Sequence, residues 1–226
     1  MILYGTVIME TVETVRLSKR EENRLERRKA IIAVAGQSFL ERGYAGTTMS
    51  GVSAAIGGSK GTLWSYFASK EELFSAFIGE SVSEFQALLT QVLDQSASLD
   101  TTLETLCCEV LIKLTAPDAL ALYRLVAGES GRSPEIGRIF YEHGPQVLNA
   151  LLSRFLTDQI AKGQLCEGDG AAMAETLISM CLGRYHTRVL LGVQSADRAI
   201  AQNEARRICA DFFALYAPRG TLPATG

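Results

Sequence analysis

Between Lys60 and Tyr66 the chain places a lysine, a threonine, a tryptophan, a serine and a tyrosine, and no acidic residue occurs anywhere from Thr47 to Ser69. Ammonium, hydroxyl and indole groups donate hydrogen bonds, and a stretch without carboxylates does not repel an anion. That inventory suits contact with phosphates and with the edges of bases. Leu63 and Phe67 lie four residues apart, so a helix through this stretch has one apolar face to pack inward and one polar face to present. Other chemistries find fewer parts. His143 and His186 are the two histidines, and no nucleophile–base spacing stands out around them. Cys107 and Glu109 would meet His143 only if the fold brought them together. The five cysteines, Cys107, Cys108, Cys166, Cys181 and Cys209, show no CxxC spacing and read as small buried hydrophobes. No GxGxxG loop is present, no acid-rich or His/Cys cluster suggests a metal, and no cofactor is expected.

The elements that would hold the polar face are short. Thr47 or Thr48 can cap a helix from Met49 to Ile56, Gly57 and Gly58 break it, and Ser59 can cap a second helix to Phe67. Two helices joined so tightly through glycine form a helix-turn-helix. A preceding helix is expected from about Glu22 to Arg42, with Leu25, Ile32, Ala35 and Phe39 as its buried stripe, Gly43 as its terminator and Tyr44 packed beneath. Residues 1–21 read as a flexible arm. Ser69 and Glu72 form a capping box that opens a long helix to about Leu93.

The words AGQSFLERGYAGTTMSGVSAAIG (Ala35–Gly57) and SKGTLWSYFASKEELF (Ser59–Phe74) resemble, in residues and spacing, the DNA-binding domain of the TetR family of bacterial transcriptional regulators. Three positions depart from the usual pattern. Ile56 stands where alanine is common, Gly58 where an aliphatic residue packs in the turn, and Trp64 where tyrosine is usual. The resemblance implies contacts to DNA from Thr47, Thr48, Ser59, Lys60, Thr62, Trp64, Ser65, Tyr66 and Lys70, with Gly61 allowing close backbone approach.

The remainder reads as helical. Helices are expected from Asp100 or Thr101 to Leu114, from Pro117 to about Ala127, and from Ser133-Pro134 to about Ile160 with a break at Gly144-Pro145. Ala161–Gly170 is a loop, helices follow over 171–191 and 196–216, and a tail runs from 218. The segment Leu122–Leu152 resembles the C-terminal domain of the AefR-like branch of the same family. Candidate pocket walls are Phe85, Leu89, Leu103, Cys107, Leu111, Tyr123, Val126, Phe140 and Leu148, with Tyr123, Glu129, Tyr141 and His143 as polar anchors. The family resemblance implies a dimer through the last two helices. Stripes of Leu177, Cys181 and Arg184, and of Ala201, Ala205, Ile208, Phe212 and Leu215, are the candidate interface. The same stripes would also serve to complete a monomer core.

Charge is uneven. Residues 1–70 carry 10 Lys and Arg against 6 Asp and Glu, while residues 71–226 carry 12 against 19. A basic head on an acidic body fits a protein whose head alone meets a polyanion. No apolar run approaches the roughly 20 residues that span a bilayer. The MILYGTVIM start lacks a basic n-region and is a poor signal peptide, and Met9 is an alternative start. The expectation is an all-α chain. It has an arm over 1–21, a three-helix helix-turn-helix domain over 22–69, a helical effector-binding and dimerisation domain over 70–217 and a tail over 218–226. Its expected function is that of a cytoplasmic, homodimeric repressor. It would bind double-stranded operator DNA, and a small apolar or amphipathic effector would release it. The alternatives are an enzyme, or a helical small-molecule-binding or interaction protein that does not use its helix-turn-helix on DNA.

Overall fold

A computed structural model of the chain describes residues 18–57, 60–95 and 97–218. Eleven helices follow one another among the described residues: α1 (Lys19–Gly46), α2 (Met49–Ala55), α3 (Lys60–Trp64), α4 (Lys70–Leu93), α5 (Leu99–Leu114), α6 (Pro117–Glu129), α7 (Pro134–His143), α8 (Pro145–Ala161), α9 (Gly170–Cys181), α10 (Arg184–Leu190) and α11 (Arg198–Tyr216). The expectations for residues 1–17, Gly58, Ser59 and the tail from 219 lie outside the described residues.

Local signals set most of the boundaries. Pro117, Pro134 and Pro145 each stand in a helix first turn, where a missing N–H costs nothing. α1 starts earlier than expected because Ser18 and Glu21 close a capping box. The Glu21 N–H donates to the Ser18 hydroxyl, and the Ser18 N–H donates to the Glu21 carboxylate at 2.9 Å. The box expected at Ser69 is half made. Glu72 N–H donates to Ser69 Oγ at 3.1 Å, but the Glu72 carboxylate reaches back to the Ala68 N–H at 2.7 Å instead. At Gly43 the backbone leaves the helix with φ 76 and ψ 169, a conformation open to glycine. One more turn then runs to Gly46. The helix expected over 171–191 is two, because the chain bends at Gly183 (φ −69, ψ −131) between α9 and α10.

Two apolar cores form, and α4 belongs to both. Leu73, Phe74 and Ile78 from its first half join Ile31, Ile32, Ala35, Phe39, Met49, Val52, Leu63 and Phe67 in the head, with Leu122 and Val126 of α6 and Ile136 and Ile139 of α7 closing one side. Leu89 and Val92 from its second half join α5, α8, α9, α10 and α11 in the body. Burying each such side chain is worth about 1.5–3 kcal/mol, so the head gains much of its core from body helices. Leu25, expected in the buried stripe of α1, is 46% exposed; Ile31 takes the inward position.

The stripes proposed for a dimer interface serve the monomer. Leu177, Cys181, Ala201, Ala205, Ile208 and Phe212 are all buried in the body core, and of the interface candidates only Arg184 and Leu215 reach solvent. α11 packs that face against α5 of its own chain. Helical periodicity marks a covered face but does not say which chain covers it. Cys107, Cys108, Cys181 and Cys209 are buried free thiols and Cys166 is half-buried. Contact with the Cys181 and Cys209 thiols, followed by burial, pushes the Cys107 thiol well above its ordinary value.

Candidate nucleic-acid interface

α2, the turn at Gly57 (φ 69) and α3 stand on the head core. Met49 and Val52 anchor α2, Leu63 and Phe67 anchor α3 and the turn after it, and Ile56 packs half-buried between them, where the turn lacks an aliphatic residue at 58. The face turned away from that core holds Gly61, Trp64 and Ser65, all exposed, with Trp64 at 51%. An indole half in solvent and free of the core has its N–H and ring available to a partner. Lys60 opens α3, and Thr62 and Tyr66 are half-buried. Ser65 Oγ donates to the Thr62 carbonyl at 2.7 Å, so its proton is occupied while its lone pairs remain open.

Two arginines of the basic run over 16–29 reach this surface from α1. The Arg24 guanidinium lies 5.9 Å from the Tyr66 ring centroid, and the Arg28 guanidinium lies 5.1 Å from that of Phe67 and 3.9 Å from Glu80. These cation–π contacts lay positive charge of α1 beside α3. The seven basic residues over 16–29 point in the sequence to phosphate contact from this helix start, or to a solvated helix end, but not to which ring each arginine would meet.

Two expected phosphate contacts are built into the head instead. Thr47 is 1% exposed; its hydroxyl donates to the Gly43 carbonyl at 2.9 Å and lies 3.1 Å from Ser38 Oγ. Thr48, beside it, is exposed and caps α2, accepting from the Gly51 N–H at 3.1 Å. Lys70 donates from Nζ to the Tyr44 carbonyl at 3.0 Å and sits 4.1 Å from the Tyr44 ring centroid.

Tyr44 is therefore held on several sides. Its hydroxyl donates to Glu71 at 3.1 Å, its ring stacks on Phe39 and meets the edge of Phe74, and its N–H donates to Glu129 of α6. Burial, then the Glu71 carboxylate, pushes the Tyr44 hydroxyl above its ordinary value, so it stays a proton donor. The Glu71 carboxyl is held low, first by its own backbone N–H and then by Ser69.

Glu129 is the structural surprise of the body. Its two carboxylate oxygens accept from the N–H groups of Tyr44 at 2.8 Å and Ala45 at 2.9 Å, just past the break at Gly43. It is a clamp on the head rather than a free pocket anchor. The rest of the expected pocket is dispersed. Leu89, Leu103, Cys107 and Leu111 are core, with Phe85 and Leu148 packed half-buried against them. Val126 and Phe140 belong to the head core. Tyr123 meets Phe140 and His186 edge-on at 6.3 and 5.7 Å, and Tyr141 is 54% exposed. His143 Nε2 pairs with Ser75 Oγ at 2.8 Å, and its carbonyl accepts from Gln86 at 2.7 Å, tying the α7–α8 corner to α4. None of these twelve residues lines the cavity of about 630 Å³ that opens at the far end of the body, between α4, α5 and α8.

Comparison with known proteins accords with this division. Residues 31–77 match the family described as bacterial regulatory proteins, tetR family, and residues 101–218 match the AefR-like transcriptional repressor C-terminal domain. The flavonoid-responsive regulator FrrA is 30% identical, with a TM-score of 0.75 over 86% of this chain and 99% of that one. A TetR-family transcriptional regulator from Mesorhizobium loti MAFF303099 is 25% identical, with a TM-score of 0.75 over 85% and 98%. The uncharacterized HTH-type transcriptional regulator YhgD of Bacillus subtilis (strain 168) is 32% identical over 72 residues, which span 32% of this chain and 38% of YhgD.

Proposed function

This chain belongs to the TetR family of DNA-binding transcriptional regulators, and on that premise we propose that it is a homodimeric repressor released from its operator by a small molecule. The observation that carries the reading is the division of α3 and the turn after it. Leu63 and Phe67 are 2% and 1% exposed, while Trp64 between them is 51% exposed on an acid-free face. A helix built that way enters a major groove with its exposed groups toward the bases. Lys60, Thr62 and Trp64 take the base or groove contacts, and Thr48, Ser59 and Tyr66 the phosphates, with Arg24 adding charge from α1.

The domain limits of this reading are an arm over 1–21, the reading head over 22–69, and the effector-binding and dimerising body over 70–217, with α1 starting inside the arm at Lys19 and α4, α6 and α7 lending side chains to the head core. The body's dimer surface is the side of α9, α10 and α11 turned away from their own core. Leu182, Ile200 and Leu215 are 37%, 38% and 59% exposed there. A two-fold pair would place its α3 helices roughly 34–36 Å apart, or a multiple of that, to meet successive major grooves. An effector that binds the body better in another head spacing would lower DNA affinity by that difference. FrrA, described as flavonoid-responsive, supports an apolar or amphipathic effector. Among the described residues no helix is long and apolar enough to cross a membrane. A regulator of this family acts on DNA, and on that ground the reading places it in the cytoplasm as a regulator rather than an enzyme.

Fluorescence anisotropy on DNA from upstream of the coding sequence tests the reading, with a scrambled duplex as control and two salt concentrations. Tight, selective binding that weakens with salt is expected. Binding of both duplexes alike, or of neither across a genomic library with effector removed, would overturn it.

A further inference from the structure

Trp64 and Ser65 follow Gly61 by three and four residues along α3 and the turn after it, so the three share one face, and all are exposed. Leu63 and Phe67 are buried in the head core on the other side, which fixes the direction in which that face points. Gly61 contributes no side chain. Trp64 stands beside it as a large apolar ring with one donor N–H and no acceptor, and Ser65 brings a hydroxyl. That hydroxyl is already donating. α3 has five residues, so its carbonyls lack the next helical turn, and both the Ser65 N–H (3.2 Å) and Ser65 Oγ (2.7 Å) donate to the Thr62 carbonyl. With its proton committed to the helix end, Ser65 Oγ offers lone pairs only.

In a major groove these groups match few base features. The thymine methyl is the apolar group on that edge, and an acceptor that cannot donate meets only the amino groups at adenine N6 and cytosine N4. Guanine presents acceptors at O6 and N7, which would face the Ser65 lone pairs. A T·A pair carries both matching features on one edge. We propose that Trp64 and Ser65 read a T·A pair in each operator half-site, the indole ring against the thymine methyl and the Ser65 hydroxyl accepting from adenine N6. Gly61, without a Cβ, lets the base edge approach the backbone between them. Trp64 and Ser65 are then specificity determinants rather than phosphate ligands. The inference rests on the reading of α3 as the helix that enters the groove.

The test uses the full chain and the duplex it selects from a genomic library, read by fluorescence anisotropy. Each T·A pair of the half-sites is replaced in turn by deoxyuridine·A, which removes the methyl alone, and by T·2-aminopurine, which removes the N6 amino group from the major groove. At one pair of each half-site, deoxyuridine should weaken binding about fourfold, the scale of one buried methyl, and 2-aminopurine about fivefold, the scale of one hydrogen bond. Both side chains are exposed, so substitution leaves the head core intact. Trp64→Phe should keep the deoxyuridine effect and Trp64→Ala should lose it, while Ser65→Ala should lose the 2-aminopurine effect alone. At that pair 5-methylcytosine·G, which carries a methyl and an amino donor on one base, should bind more tightly than C·G. Selective binding that neither analogue weakens at any pair would overturn the proposal and leave the regulator standing. So would a deoxyuridine effect that persists in Trp64→Ala, or a 2-aminopurine effect that persists in Ser65→Ala. Failure to select any duplex would overturn both.

Discussion

Glu129 grips the backbone at Tyr44 across 85 positions of sequence, with its carboxylate 2.8 Å from the Tyr44 nitrogen and 2.9 Å from that of Ala45. The last residue of α6 thereby caps the final turn of α1, past the break at Gly43. Arg124, five residues earlier on the same helix, donates to the Leu190 carbonyl at the end of α10 at 3.2 and 2.5 Å. One short helix therefore holds the reading head at one end and a body helix at the other. Hydrogen bonds to a charged acceptor contribute about 1.5–3 kcal/mol, and the exposed Ala45 amide puts this pair at the lower end. Glu129→Ala should lower stability by about 1–2 kcal/mol in urea denaturation and loosen the head, weakening operator affinity as well. Unchanged stability would mean that water replaces the carboxylate at no cost.

Lys70 separates two roles. A phosphate contact would reduce the salt slope of DNA binding by about one unit when removed. The observed partners, the Tyr44 carbonyl and ring, point to a structural role instead. Lys70→Met should cost about 1 kcal/mol of stability and leave the slope unchanged. A slope lowered by one unit, with stability intact, would return Lys70 to the phosphate contacts.

Trp64 should show the opposite pattern. It is exposed and packs into neither core, so Trp64→Ala is expected to change stability by no more than about 0.5 kcal/mol. Operator affinity should fall about tenfold, while affinity for scrambled duplex hardly changes. A lower melting temperature with unaltered selectivity would make Trp64 a packing residue.

His186 contributes to the acid sensitivity of the body. Burial lowers its proton affinity below the ordinary value of 6.5, with a hydrogen bond to the Leu182 backbone acting the other way. The unfolded chain then binds the proton more readily than the folded one. Stability from this residue is complete above pH 6.5 and is lost as pH falls through and below that value. Urea midpoints at pH 8 and pH 5 should differ more for the native chain than for His186→Phe, which keeps the ring against Tyr123. An equal difference in both proteins would assign the acid sensitivity to the carboxylates.

The helix ends were legible because their causes are local. Ser69, Pro117, Pro134, Gly144 and Pro145 act through backbone dihedrals and through amides within four residues, and the structure places helix ends at each. The reading face was legible for the same reason, since the Leu63–Phe67 spacing dictates which side goes inward, but the helix expected to Phe67 ends at Trp64 and continues as a turn. The capping box at Ser18 was equally local and was missed because residues 1–21 read as an arm.

The stripes of α9 and α11 show where pattern stops. Leu177, Ala205, Ile208 and Phe212 repeat at helical spacing whether the cover is a helix of the same chain or of a second copy, and the structure supplies α5 over α11 and chiefly α8 over α9. The pocket failed similarly, since apolar residues such as Leu103 and Leu111 that could wall a cavity also fill a core.

The helical class, the helix-turn-helix, its acid-free face and most helix limits could be read along the chain, because each depends on residues within a turn or two of one another. Tertiary structure alone decided that Glu129 clamps the head and that Thr47 and Lys70 face inward. Those outcomes depend on which distant helices meet, and a side chain's local spacing carries no information about its partner 57 or 85 residues away.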